Sequence, residues 1–122
     1  MDPLSPLDTR SGKEEILLRR IGQNELFAID VCQALERLGE QDAARVAGNT
    51  APLNGYFFRK LPAAGKRSAF VAYPAEYGSS GIMTFVAGSD GVVYEGDLGP
   101  RTAKVANTLS SDKLDASWHA LQ

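Results

Sequence analysis

The chain is poor in the residues that carry most protein chemistry. It holds one cysteine, Cys32, and one histidine, His119, among 122 residues. A lone cysteine forms no internal disulfide. One Cys and one His also fall short of the usual zinc sites, which take four ligands from those types. A catalytic thiolate needs a histidine beside it, and His119 stands three residues from the end. Cys32 is therefore expected to be a small core residue on an apolar helix face. No apolar run approaches the roughly 18 residues that span a bilayer, so no membrane insertion is expected. The first residues, Met1-Asp2-Pro3-Leu4-Ser5-Pro6-Leu7, lack a basic stretch and an apolar core, and are not expected to act as a signal peptide. An excess of basic charge is missing too. Thirteen basic residues face fifteen acidic ones, a formal charge of −2. They are evenly spread, and a nucleic-acid binder gathers basic residues on one face. No nucleic-acid partner is expected.

What is present suits a globular fold. Hydrophobic residues make up 43% and charged residues 23%, and a chain of this length hides about two-thirds of its unfolded surface. Residues 1–10 contain two prolines and read as an extended arm. Residues 11–122 read as a single α+β domain. Ser11-Gly12-Lys13-Glu14 has capping-box spacing, and a helical pattern runs from about residue 12 to residue 47. Leu17, Ile21, Ala28, Val31, Leu35 and Leu38 fall on one stripe. Asn24 and Glu25 interrupt that stripe, and Glu25 is expected to bond to sheet backbone or to Arg59. Leu18, Leu26, Phe27 and Ile29 widen the apolar surface, which suggests cover on more than one side. Gly39 marks a bend or an end, and Gly48-Asn49 with Pro52 stops the pattern.

Four strands are expected after Pro52. They are residues 55–61, 68–73, 82–87 and 92–95, rich in aromatic and β-branched residues. Gly88-Ser89-Asp90-Gly91 is a hairpin turn between the last two. Asp90 alone supplies too few oxygens at loop spacing for calcium. Pro100 opens a short helix over 100–109, with Val105 and Leu109 inward. Trp118 is expected to pack back on the domain. Short connections favour antiparallel pairing. The predicted fold is thus α+β: a long N-terminal helix on a four-stranded antiparallel sheet, with a short C-terminal helix.

Several blocks resemble a bacterial family known as domain of unknown function 2950. One is Arg10-Ser11-Gly12-Lys13-Glu14-Glu15-Ile16-Leu17-Leu18-Arg19-Arg20. Others are Asn54-Gly55-Tyr56-Phe57-Phe58-Arg59, Tyr73-Pro74-Ala75-Glu76-Tyr77-Gly78 and Asp90-Gly91-Val92-Val93-Tyr94-Glu95. Asp97-Leu98-Gly99-Pro100 and Ser117-Trp118 complete the likeness, which covers residues 10–118 with gaps. The resemblance implies an exported envelope protein of uncharacterised activity, placed in the periplasm or cell envelope. Typical members also carry a signal, a further N-terminal region, and a longer glycine-rich segment where this chain has the short loop 62–67. The layout is similar to the globular heads of type IV pilins and type II secretion pseudopilins. That is an analogy of fold, and fold does not fix function.

Three functions follow as expectations. The first is a non-catalytic structural or interaction domain of the envelope, with an envelope protein as partner and no cofactor. The second is a small-ligand module for a glycan or peptide, using Tyr73, Glu76, Tyr77 and Tyr94, because aromatic faces suit such ligands. The third is a hydrolase pairing Glu76 with Glu95 or Asp97. Ser79 and Ser80 lack the strand-to-helix elbow of a serine nucleophile. No catalytic residue and no metal ligand is assigned.

Overall fold

The computed structural model describes residues 5–35, 40–48, 50–61, 69–88, 92–109, 114 and 116–121. Helix α1 runs Ser5–Leu35 and α2 runs Glu40–Ala47. Strands β1 (Tyr56–Leu61), β2 (Ala69–Pro74), β3 (Met83–Ala87) and β4 (Val93–Asp97) follow. A 3-10 turn at Gly99–Arg101 leads into α3 (Thr102–Ala106), and β5 (His119–Leu121) closes the chain. The five strands form one antiparallel sheet in sequence order, β1-β2-β3-β4-β5. The fold is α+β as the pattern predicts, with five strands rather than four. β5 is only three residues long and pairs with β4 alone. A segment of that length is too short to show the two-residue alternation that marks a strand.

The helical start also differs from the sequence reading. Residues 5–10, expected as an extended arm, lie inside α1. Pro6 does not oppose this, because the first turn of a helix leaves its N–H groups without intrahelical partners anyway. Ser11 therefore sits within α1, and the Ser11–Glu14 spacing does not mark its beginning. The single helical pattern becomes two helices, and α2 begins one residue past Gly39. Residues 1–4, Leu38, Gly39, the loop 62–67 and Asp90 lie outside the described residues. The short helix expected over 100–109 ends at Ala106, and Leu109 still packs inward.

Alternation along the strands builds two apolar faces. Tyr56, Phe58, Phe70, Ala72, Phe85, Ala87 and Val93 point to the first, where Ala28, Cys32 and Leu35 of α1 and Ala43 of α2 cover them. Leu61, Val71, Tyr73 and Val86 point to the second, under Ala106, Leu98, Leu109, Leu114 and Trp118. β2 is buried along its whole length. Cys32 is a buried thiol in the first core, as expected, its Sγ 4.0 Å from the Phe85 carbonyl oxygen. Trp118 lies flat over Gly96, where a Cβ would stand 2.9 Å from the indole Cδ2.

The proportions of α1 and the sheet do not match. Thirty-one helical residues extend about 46 Å at 1.5 Å each. Strands of this length reach about 20 Å, and five of them span about the same width. α1 makes its sheet contacts mainly with β2 and β3. A helix more than twice as long as the sheet must overhang it, and the end that overhangs is the N-terminal one.

Candidate functional site

The overhang exposes apolar side chains. Residues 14–20 of α1 are all exposed. Ile16 and Leu18 each retain 60% of their surface in contact with solvent, and Leu17 retains 37%. Leu26, on the side of α1 turned from the sheet, retains 65%. Among the described residues, every exposed large apolar side chain except Tyr77 belongs to α1. Leu17 lies on the same stripe as Ile21 and Ala28, which are buried. The stripe continues, but the sheet beneath it does not.

A polar clamp fixes the place where α1 leaves the sheet. Asn24 Nδ2 donates to the Ser80 carbonyl at 2.9 Å. The Glu25 carboxylate accepts the N–H groups of Ile82 and Met83 at 3.1 and 2.9 Å through one oxygen, Oε2. Tyr56 OH donates to the Met83 carbonyl at 2.7 Å. The two residues that interrupt the apolar stripe are thus the ones that grip the chain entering β3. Glu25 takes the backbone partner expected of it; Arg59 instead donates to the Asn107 side chain on the other face. Burial raises the Tyr56 phenol pKa far above its ordinary value, and the nearby Glu25 charge adds to the effect. Gly81 completes the clamp. A Cβ there would fall 2.3 Å from the Tyr56 oxygen, so the phenol lies against bare backbone.

The four residues of the ligand-module reading lie on β2, on the turn that follows it and on β4. Tyr73 is buried on the second face, its ring 5.6 Å from that of Phe57. It lines an open groove of about 450 Å³ along β1 with Phe57, Arg59, Lys60, Ala47 and Thr50. Glu76 is exposed in the β2–β3 turn, where its N–H donates to Ser80 Oγ at 2.9 Å. Tyr77 is exposed and donates its hydroxyl to Asp97 Oδ1 at 2.8 Å, a bond that raises its pKa. Tyr94 is half-buried, opposite Val86 on β3 and Ala120 on β5.

A second groove, of about 220 Å³, lies at the ends of β4 and β5. Glu95, Asp97, Ser117, His119, Met83 and Leu98 line it. Glu95 sits across from His119 in the β4–β5 register. Asp97 is occupied, accepting from Tyr77 and from the Gly99 N–H at 2.9 Å. His119 enters the groove only because β5 exists. Sequence reasoning missed it, since nothing in three residues announced that strand.

The sequence matches the family described as Protein of unknown function (DUF2950) over residues 6–48 and 35–121. The chain belongs to the DUF2950 family. The DUF2950 match takes in the exposed part of α1, the clamp and the whole sheet, so overhang and sheet both fall within the family's extent. No curated protein and no solved structure matches the chain. The likeness to pilin heads therefore rests on layout alone.

Proposed function

We propose that this domain is a non-catalytic interaction module, working in the periplasm or cell envelope as the family resemblance implies. The observation that carries the reading is the run Ile16-Leu17-Leu18, exposed on a helix held firmly by its other half. Contiguous apolar surface rimmed by charge is what protein interfaces present before they meet a partner. The clamp supports the same reading. Asn24, Glu25 and Tyr56 anchor α1 just where its cover ends, so the projecting segment is presented from a rigid base.

Site-specific photo-crosslinking in cells tests it. A photoreactive phenylalanine at position 18 is expected to give adducts of discrete mass, and the same residue at the exposed Lys104 of α3 none. Equal, diffuse labelling from both positions would remove the basis for the reading.

A second reading keeps a small polar ligand, a glycan or a peptide, in the groove at Asp97. Asp97, which lines the groove and accepts from the exposed Tyr77 hydroxyl, favours it. A thermal-shift screen of glycans and peptides checks it, because a ligand raises the midpoint of the fold it binds. The shift would have to vanish in Tyr77→Phe to place the ligand there.

A further inference from the structure

The groove along β1 holds about 450 Å³, within the range of roughly 300–1,000 Å³ typical of small-ligand sites. Its chemistry is one-sided. Arg59 and Lys60 line it, both exposed, and none of the described residues that line it is acidic. Phe57 and Tyr73 bring two rings to it, their centroids 5.6 Å apart. Thr50 adds a hydroxyl. We propose that this groove binds an acidic sugar, a uronic acid whose carboxylate meets Arg59 and whose ring hydroxyls meet Tyr73 and Thr50. The site goes beyond both readings above. β1 forms the opposite edge of the sheet from β5, where the Asp97 groove lies.

The Tyr73 hydroxyl carries the assignment. Tyr73 is 7% exposed, and among the described residues no hydrogen bond reaches that hydroxyl. A buried tyrosine usually finds a partner for it. The ring packs on the second face beside Phe57, and the residue lines the groove, so a ligand seated there supplies what the fold does not. Arg59 suits a carboxylate, because a guanidinium carries five N–H donors in a planar fork. The Asn107 side chain takes one of them, and that acceptor carries no charge. The half-buried Phe57 offers an apolar surface for the body of a sugar ring.

An extended peptide fits less well. An added strand bonds to the outward backbone groups of an edge strand. Tyr56 already donates its N–H to the Leu53 carbonyl at 3.0 Å and accepts from the Leu53 N–H at 2.8 Å. Phe58, the next residue of β1 turned from β2, is 2% exposed. Charges on an edge strand also deter unwanted pairing, but that role calls for no unpartnered phenol beside them.

Calorimetric titration of the full chain tests the proposal, with digalacturonic acid as the probe. Its dimethyl ester keeps the rings and loses the charge, and should bind at least about tenfold more weakly. Arg59→Ala should weaken binding of the acid by a similar factor. Tyr73→Phe should weaken it about three- to tenfold, the worth of one neutral hydrogen bond. Its unfolding midpoint should stay level or rise, because the hydroxyl removed has no partner in the fold. Tyr77→Phe, beside the other groove, should bind the acid as wild type does.

No heat of binding at about 10 mM acid, well above the range of even weak specific complexes, overturns the proposal. So does an ester bound as tightly as the acid, or a Tyr73→Phe variant that binds as wild type does. Triglutamate bound as tightly as the diuronate also overturns it, and gives the groove to acidic peptides instead. None of these results touches the interaction-module reading, which crosslinking from position 18 tests on α1.

Discussion

The two halves of α1 share one helix, yet they meet different surroundings. From Ile21 to Leu35 the inward stripe is buried, with Ala28, Cys32 and Leu35 at 1% exposure or less. From Glu14 to Arg20 every residue is exposed. Residues 14–20 are the more charged, with four charged side chains against two in 21–35. The exposure of Ile16, Leu17 and Leu18 among them follows from length: the sheet ends and the helix continues. Burial is thus a property of the pair of surfaces, and an apolar stripe records only that a partner is wanted. In the C-terminal half the partner is the sheet. In the N-terminal half it has to come from elsewhere.

The contrast can be sharpened by substitutions of matched kind. Leu35→Ala removes a side chain fully buried between helix and sheet. It should cost about 3 kcal/mol, the usual size for a leucine cavity in a packed core, as read by denaturant unfolding. Glu25→Ala should cost about 2 kcal/mol, because two part-buried N–H groups lose a charged acceptor. Its unfolding midpoint should fall, and amide exchange at Ile82 and Met83 should quicken, while residues 14–20 stay unaffected. Leu18→Gln should change stability by no more than about 0.5 kcal/mol, the ordinary range for an exposed site. Glutamine forms helix about as well as leucine, so the comparison isolates burial. A large loss at Leu18 would erase the distinction between the halves.

The clamp adds a dependence on pH. The folded chain holds the Tyr56 proton more tightly than the unfolded chain does, because burial disfavours the phenolate. Above the ordinary tyrosine value of about 10, the unfolded state therefore carries fewer protons than the folded state. Stability should be fully present below that pH and fall above it, by up to about 1.4 kcal/mol per pH unit. Tyr56→Phe should flatten this alkaline slope while lowering stability near neutral pH through loss of the bond to Met83. An unchanged slope in the variant would show that Tyr56 is not the group responsible.

Much of the fold could be read from the residues. The aromatic runs around Tyr56, Phe70 and Phe85 became strands, and Trp118 returned to the sheet. The stripe through Ile21, Ala28 and Leu35 found its core. Helical periodicity reports the phase of a stripe but not the extent of the surface opposite, so Leu17 looked like Ile21 and was not. The N-terminal boundary was hidden because prolines suit both an extended arm and a first helical turn. The fifth strand was hidden because pairing with a neighbour defines it, and a pattern of its own does not. Glu25 stood out as a charge on an apolar stripe, and its choice between two partners needed the third dimension. The exposed segment was legible only as an unusually broad apolar surface.

The most direct measurement is amide hydrogen exchange along α1 at several protein concentrations. Residues 24–35 should be strongly protected at every dilution, since the sheet covers them. Residues 14–20 should exchange much faster. Equal protection of both halves at the lowest concentration would contradict this division of α1 and place residues 14–20 within the domain's own core.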